Sequence, residues 1–445
     1  MPSSPPPGDA SGRCPCAFRA RAGVGAMTAR SFVSRRVLGL RAATRVGLFY
    51  GLMFTGIGVM QPFWPAWLET RGLGAVEIGL VMAAAQWSKV LVNPVVASHV
   101  DRTGARRATM VGLALVSLLC FALLQPLMGF WPILLMAVPA TACMAGLMPL
   151  AESVAMGVVR ATGADYGRMR LWGSITFMVA AVAAGALLDV LPVTVVVPTA
   201  ILSALSLTVL SAAALPPDEM RVGAPRGARR PVFGGDGVLR LLRDRRFLLF
   251  LGCVGLSQGS HAPYYGFSTL HWRAAGLSDT TIGVLWAFGV VVEVALFAFG
   301  NRMVARLGPL GLLLAAAAGG LVRWSVLAVT VHPVALFAVQ GLHALTYAAG
   351  HLGAMHFIAR AVPHSHAVRA QGLYSALAMG AVLGLSMILS GWLYARVGGL
   401  AFFLGTGLCA GASVFGLLLA RTWDGGALWG EDPPTEVVEP APRVS

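Results

Sequence analysis

Apolar stretches recur along this chain from residue 45 almost to its end. Each is long enough to cross a bilayer as a helix, which takes about 20 residues. They run at 45–68, 76–98, 108–127, 132–157, 168–189, 193–215, 247–270, 280–300, 309–331, 334–358, 369–393 and 400–420. The pattern predicts an all-α polytopic membrane protein with twelve transmembrane helices. The longest polar interruption, Pro216 to Arg246, holds Pro217, Pro225, Pro231 and eight Arg, and it splits the spans six and six. The organisation expected is a disordered cytoplasmic segment at 1–44, a six-helix bundle at 45–215, a cytoplasmic central loop at 216–246, a second six-helix bundle at 247–420 and a disordered cytoplasmic tail at 421–445.

Composition agrees with burial in lipid. Of 445 residues 57% are hydrophobic and 11% charged, against roughly a quarter charged in a soluble domain. The net charge of +15 is an orientation signal. Of the 33 Lys and Arg, 28 fall in the N-terminal segment, the even-numbered loops and the C-tail. Only Arg71, Arg273 and Arg396 fall in the odd-numbered loops, and Lys89 and Arg323 lie within spans. The positive-inside rule then places both termini in the cytoplasm of a bacterial inner membrane. No soluble basic face is left to bind nucleic acid. The stretch Met1 to Ala26 lacks the apolar core of a cleavable signal. Cys120, Cys143, Cys253 and Cys409 lie in apolar runs, and Cys14 and Cys16 have no metal spacing. With no P-loop, HExxH or CxxC, neither an enzyme nor an ATP-driven pump is indicated, and no cofactor or metal beyond a proton gradient.

Charges inside the spans are the sharper signal, because an ionisable group in hydrocarbon needs a partner or a task. They are Lys89, Glu152, Glu293 and Arg323. Glu293 and Arg323 fall near mid-depth on consecutive spans and are expected to meet, with Glu293 carrying a proton and Arg323 tuning it and binding an anion. His343 and His351, at similar depth, are candidate relays. Arg323, Lys89, Glu152, His261, Tyr264 and Tyr265 are candidate substrate contacts. A structural ion pair is the competing reading for Glu293 with Arg323, and likewise for Lys89 with Glu152; a satisfied interior side chain is the competing reading for each His. Trp67 and Trp272 look like interfacial anchors. Gly380 with Gly384 and Gly407 with Gly411 permit close helix approach.

Between the second and third spans stands Asp101-Arg102-Thr103-Gly104-Ala105-Arg106-Arg107. It resembles the signature loop of the major facilitator superfamily, with Ala97 where a glycine is usual. Residues Asn301 to Gly308 resemble a second copy that lacks the acid. Asp101, Arg102, Gly104, Arg106 and Arg107, together with Arg168 and Arg170 at the start of the fifth span, are candidate conformational gates.

A closer resemblance is to the phenylpropionate permeases. It rests on Gly259 to Ser268, His271 to Gly276, Leu285 to Val294, Val322-Arg323-Trp324, Gln340 to His343, His351 to Met355 and Gln371 to Gly380. In the first half it rests on Gln61 to Trp64 and Asp165 to Ser174. It runs from about residue 45 to 396. What it implies is a major facilitator fold of two six-helix bundles. It also implies proton-coupled import of a small aromatic monocarboxylate by alternating access. The partners would be that organic anion and the lipid bilayer, with a functional monomer. Lys89 stands where such relatives carry Arg, and Glu152 where they carry Asp. The same fold moving a sugar, nucleoside or drug remains the alternative, and a membrane-embedded enzyme or sensor is the reading of another class.

Overall fold

The computed structural model describes residues 24–216 and 236–430, and the chain there is all-helical, without a strand. The first bundle contains α1 (Val24–Thr70, apolar from Arg41), α2 (Ala75–Thr103), α3 (Arg106–Leu124), α4 (Phe130–Thr162), α5 (Tyr166–Leu188) and α6 (Val193–Ala213). In the second bundle α7 is made of Arg245–Gly259 and Ala262–Ala274, broken at Ser260 and His261. The long element Asp279–Val329 bends at Gly308, φ 65°, just before Pro309, which divides it into α8 (279–307) and α9 (309–329). Span α10 joins Pro333–Gln340 and Gly350–Ala361 through a π-helical turn, Ala344–Ala349, while α11 joins Ala367–Leu373 and Leu383–Val397 through a second π turn. The last span, α12, is Phe403–Thr422. The twelve spans match the hydrophobic pattern. Among the described residues nine stretches are long and apolar enough to cross, α11 and α12 counting as one; α7 and α10 are broken too short to count.

Local chemistry sets the ends. Gly104 (φ 74°) and Gly163 (φ 70°) close α2 and α4 in left-handed backbone that a Cβ would oppose. Asp165, Asp244 and Ser278 accept hydrogen bonds from the free amides that open α5, α7 and α8.

Three expectations at the edges change. Within the segment expected to be disordered at 1–44, α1 is already helical from Val24. In the central loop Asp236–Arg243 forms a short helix. Of the tail, residues up to 430 pack on the second bundle: the Leu428 amide donates to the Ala361 carbonyl at 2.7 Å, and the Arg246 guanidinium reaches the Leu428 carbonyl. Residues 1–23, 217–235 and 431–445 lie outside the described residues, and so does the expectation of disorder there.

Successive spans alternate direction, so the start of α1, the end of α12 and the Asp101–Arg107 loop share one face, here called proximal; the α1–α2, α5–α6 and α7–α8 turns share the distal face. The bundles meet where glycine lets backbones touch. A Cβ on Gly185 (α5) would stand 2.3 Å from the Asp279 carbonyl oxygen, and one on Gly283 (α8) 2.3 Å from that of Ala181. On the other flank Gly391 (α11) and Gly79 (α2) bring the same closeness, 2.5 Å to Ala75 and 2.7 Å to Met387. Nearer mid-depth Gly380 and Gly384 receive Val90 and Trp87 of α2, whereas Gly407 has nothing within 4 Å. All these approaches lie in the distal half or the middle. Toward the proximal face α4, Gly350–Ala361 of α10 and Ala367–Leu373 of α11 pack within their own bundles. A cleft therefore opens to the proximal side.

Trp67 and Trp272 are not interfacial anchors: both are fully buried at the distal seal, and Trp67 stacks on Trp64 at 4.7 Å.

Inside the first bundle a Cβ on Gly58 would stand 2.5 Å from the Phe177 carbonyl oxygen. Replacing Gly58 with Val should cost about 1–3 kcal/mol by overpacking, read as a lower melting temperature of the detergent-solubilised protein. Gly112→Ala, on open space in α3, should leave that temperature unchanged or raise it slightly.

Candidate substrate and proton site

The second-bundle part of the site is organised around Arg323 of α9, which is fully buried. One terminal nitrogen donates to His343 Nδ1 at 2.9 Å and Thr346 Oγ1 at 3.0 Å; the other donates to Gln340 Oε1 at 2.6 Å. Two aromatic rings flank the guanidinium on adjacent sides, with the Tyr264 centroid 4.8 Å and the Trp324 centroid 4.5 Å from its central carbon. Gln340 is held in turn, donating to Tyr264 Oη at 2.8 Å and the Leu285 carbonyl at 3.0 Å. The break and π turn in α10 put Gln340, His343 and Thr346 on one side, against α9.

This geometry fixes a tautomer. Arginine only donates, so His343 Nδ1 must accept and the ring proton sits on Nε2. That Nε2 lies 3.5 Å from Glu293 Oε2. The order is thus Arg323, His343, Glu293. The expected direct meeting of Glu293 with Arg323 is corrected, because the imidazole stands between them. In this structure Arg323 has no exposed surface, and both its terminal nitrogens donate to protein acceptors, while Nε has no partner among the described residues. Tyr264 is likewise enclosed. His261 sits at the break in α7, fully buried, and donates from Nδ1 to the Ser257 carbonyl at 3.2 Å; its ring lies 5.1 Å from Trp324 and 6.1 Å from His343. Both act as packing behind the cleft rather than as its surface. His351 Nδ1 shares a hydrogen bond with Tyr374 Oη at 3.1 Å. Tyr265 and Tyr347 are only half-buried. Tyr347 stacks on His343, with centroids 5.6 Å apart, and Tyr265 lies parallel to Trp286 at 6.2 Å.

The first bundle contributes a second cluster. Glu152 of α4 accepts a hydrogen bond from Tyr166 Oη and pairs with Arg170 Nε at 3.8 Å, so its partner is Arg170 and not Lys89. The Arg170 guanidinium lies 4.2 Å above the Phe54 ring.

Lys89 donates to Gln86 Oε1 at 2.8 Å and has no ion pair among the described residues. On α2 the polar Gln86, Lys89 and Asn93 share a stripe. It lies between the side packed on α11 (Trp87, Val90) and the side packed on α4 (Val92, Val96), opposite the exposed Leu91 and Val95. Lys89 therefore faces the cleft. Asp101 and Arg102 are exposed at the proximal face and make no ion pair among the described residues; Arg168 is exposed there too.

Sequence reasoning missed Gln340, Thr346, Tyr347 and Tyr166. Their signal was spacing: Thr346 and Tyr347 follow His343 by one helical turn, and Tyr166 precedes Arg170 by one.

With this arrangement in view, comparison with known proteins is decisive. Residues 43–404 match the model of the MFS_1 like family. The chain belongs to the MFS_1-like family. It is 33% identical over 365 residues to a probable 3-phenylpropionic acid transporter of Escherichia coli K12, covering 81% of this chain and 93% of that one. It is 29% identical over 381 residues to a maltose permease of Geobacillus stearothermophilus, covering 84% and 93%. Among solved structures, the nucleoside transporter NupG superposes with a TM-score of 0.74 at 13% identity, covering 85% of this chain and 98% of that one. A bacterial homologue of the human lysosomal transporter Spinster, in an inward-facing and unoccupied conformation, gives 0.63 at 16%, covering 86% and 97%. At such identities these structures establish the fold alone. The MFS_1-like chain is a multi-pass membrane transporter of a small molecule, not an enzyme.

Within this transporter Arg323 is a positioning residue. Arg323→Lys keeps the charge but cannot reach all three acceptors, and should cost about 1–3 kcal/mol. Arg323→Met strands Gln340, His343 and Thr346 together and should lower the melting temperature further. Equal melting temperatures for the two variants would contradict the hydrogen-bonded role.

Proposed function

We propose that this transporter is a proton symporter that carries a small aromatic monocarboxylate, of the 3-phenylpropionate kind, inward across a bacterial inner membrane. The observation that carries the reading is Lys89: a cation facing the cleft at membrane depth with no acidic partner among the described residues, which an anionic substrate would neutralise. The half-buried aromatic faces of Tyr265 and Tyr347 suit an aryl group. The 33% identity to the probable 3-phenylpropionic acid transporter supports the same class.

In this mechanism the substrate carboxylate docks on Lys89, with Arg170 shared between it and Glu152. Glu293 takes the proton. His343, its Nε2 proton directed at Glu293 by Arg323, stabilises the charged carboxylate and turns with it on protonation. His351 lies close enough to act electrostatically on Glu293 and extends the path. Substrate and proton together leave the cleft with little net charge, so the bundles can rock past one another with both bound. With the termini in the cytoplasm, the open proximal cleft is the inward-facing state. The exposed Asp101–Arg107 loop, with Arg168, would close the proximal side in the opposite state. Each chain carries its own cleft and works as a monomer.

A second reading has one specific support. The 29% identity to a maltose permease, with the Glu152, Tyr166 and Arg170 cluster able to hydrogen-bond hydroxyls, favours a sugar. Uptake of labelled 3-phenylpropionate and of maltose into vesicles driven by a pH gradient separates the two. Under the first reading, Glu293→Gln should abolish accumulation of the carboxylate while leaving exchange intact; undiminished accumulation would sink the proton assignment. Lys89→Gln should raise KM roughly tenfold or more, and Lys89→Arg should restore it.

A further inference from the structure

At the distal seal one carboxylate joins the two bundles. Asp189 closes the C-terminal end of α5 in the first bundle, yet its oxygens accept from the second. Oδ1 accepts from the Asp279 amide at 2.7 Å; Oδ2 accepts from the Thr280 hydroxyl at 2.6 Å and from the Thr280 amide at 3.3 Å. These are unsatisfied donors of the first turn of α8, where the helix dipole favours negative charge. Ser278, the helix's own cap, serves Thr281 instead. Asp279 is committed elsewhere, in a two-pronged pair with Arg273 at 2.8 and 2.8 Å. Just below, Gly185 and Gly283 bring α5 and α8 into backbone contact. The cap is therefore supplied in trans, at the point where the bundles must part if the distal side is to open.

We propose that Asp189 is a distal latch: it caps α8 across the bundle interface and holds the distal side shut until the bundles rock apart. This rests on the alternating-access reading but on neither the substrate nor the proton. Opening strands two amides and a hydroxyl of α8, which water then takes up. The latch biases the transporter toward the proximal-open state seen here.

The groups around Asp189 decide whether pH works the latch. Arg273 and Asp279 face it from the α7–α8 turn; Glu69 and Arg71 are the charges on the distal end of α1 and its turn; α6 brings no ionisable residue. The Thr280 hydroxyl, then the two amides and Arg273, hold the Asp189 carboxyl below its ordinary range. A lowered carboxylate stabilises the closed seal at every pH above the ordinary aspartate value and lets go only as pH falls through the lowered one. Near neutrality the latch stays charged and is released by mechanical separation, apart from the proton that drives transport.

Amide exchange of the full chain in lipid nanodiscs, read by mass spectrometry over residues 277–285, tests this. Asp189→Ala should speed exchange there roughly tenfold or more, with residues 150–160 of α4 unchanged. Gly185→Val, which wedges the seal directly, should do at least as much. The wild-type contrast with Asp189→Ala should be the same at pH 6 and pH 8. Wild-type exchange in Asp189→Ala beside raised exchange in Gly185→Val would overturn the latch, as would a contrast that vanishes at pH 6. A raised exchange in Asp189→Ala with no carboxylate transport would keep the latch and remove the substrate reading instead.

Discussion

A guanidinium shut away from water at membrane depth governs the second bundle. Arg323 cannot shed its charge, so everything around it is arranged to accept hydrogen bonds or to present an aromatic face. Gln340, His343 and Thr346 supply the acceptors, and Tyr264 with Trp324 supply the faces. Gln340, His343 and Thr346 follow one another at three-residue spacing along α10 and meet on its α9 side, where the span breaks after Gln340 and takes up a π turn. The imidazole orientation, and with it the environment of Glu293, is inherited from the arginine.

The first bundle solves a similar problem less completely. Glu152 and Arg170 offset each other, with Tyr166 and the Phe54 face as support. Among the described residues Lys89 has only the Gln86 amide oxygen. The two similar halves thus differ: one holds a closed network around Arg323, and the other, among the described residues, leaves Lys89 without an acidic partner. Such a cation is suited to a ligand that arrives carrying the missing charge.

The spans and their number were legible because twenty-residue apolar runs have few other uses. The in-span charges were legible for the same reason: each costs too much in lipid to be incidental. What the sequence could not show was which charge faces which. Depth alone brought Glu293 and Arg323 to the same level, but the rotation of α9 turns Arg323 away from the cleft and lets His343 intervene. A pair of Glu152 with Lys89 was one of two readings open from the sequence, whereas α5 delivers Arg170 to Glu152. Trp67 and Trp272 sit at interfacial depth yet point inward, a difference in azimuth that no one-dimensional pattern encodes. The short helix at Asp236–Arg243 escaped because its eight residues lie in a stretch dominated by Arg, Gly and Pro.

The glycine contacts of the distal seal have a consequence for leakage. Where Gly185 lies on the Asp279 carbonyl and Gly283 on that of Ala181, main chain rests on main chain, and the gap is narrower than a water molecule. A file of water there would conduct protons in the resting state and dissipate the gradient without moving any cargo. Side chains jostle and leave transient holes; two helix backbones in van der Waals contact do not. Bareness at those positions is insulation.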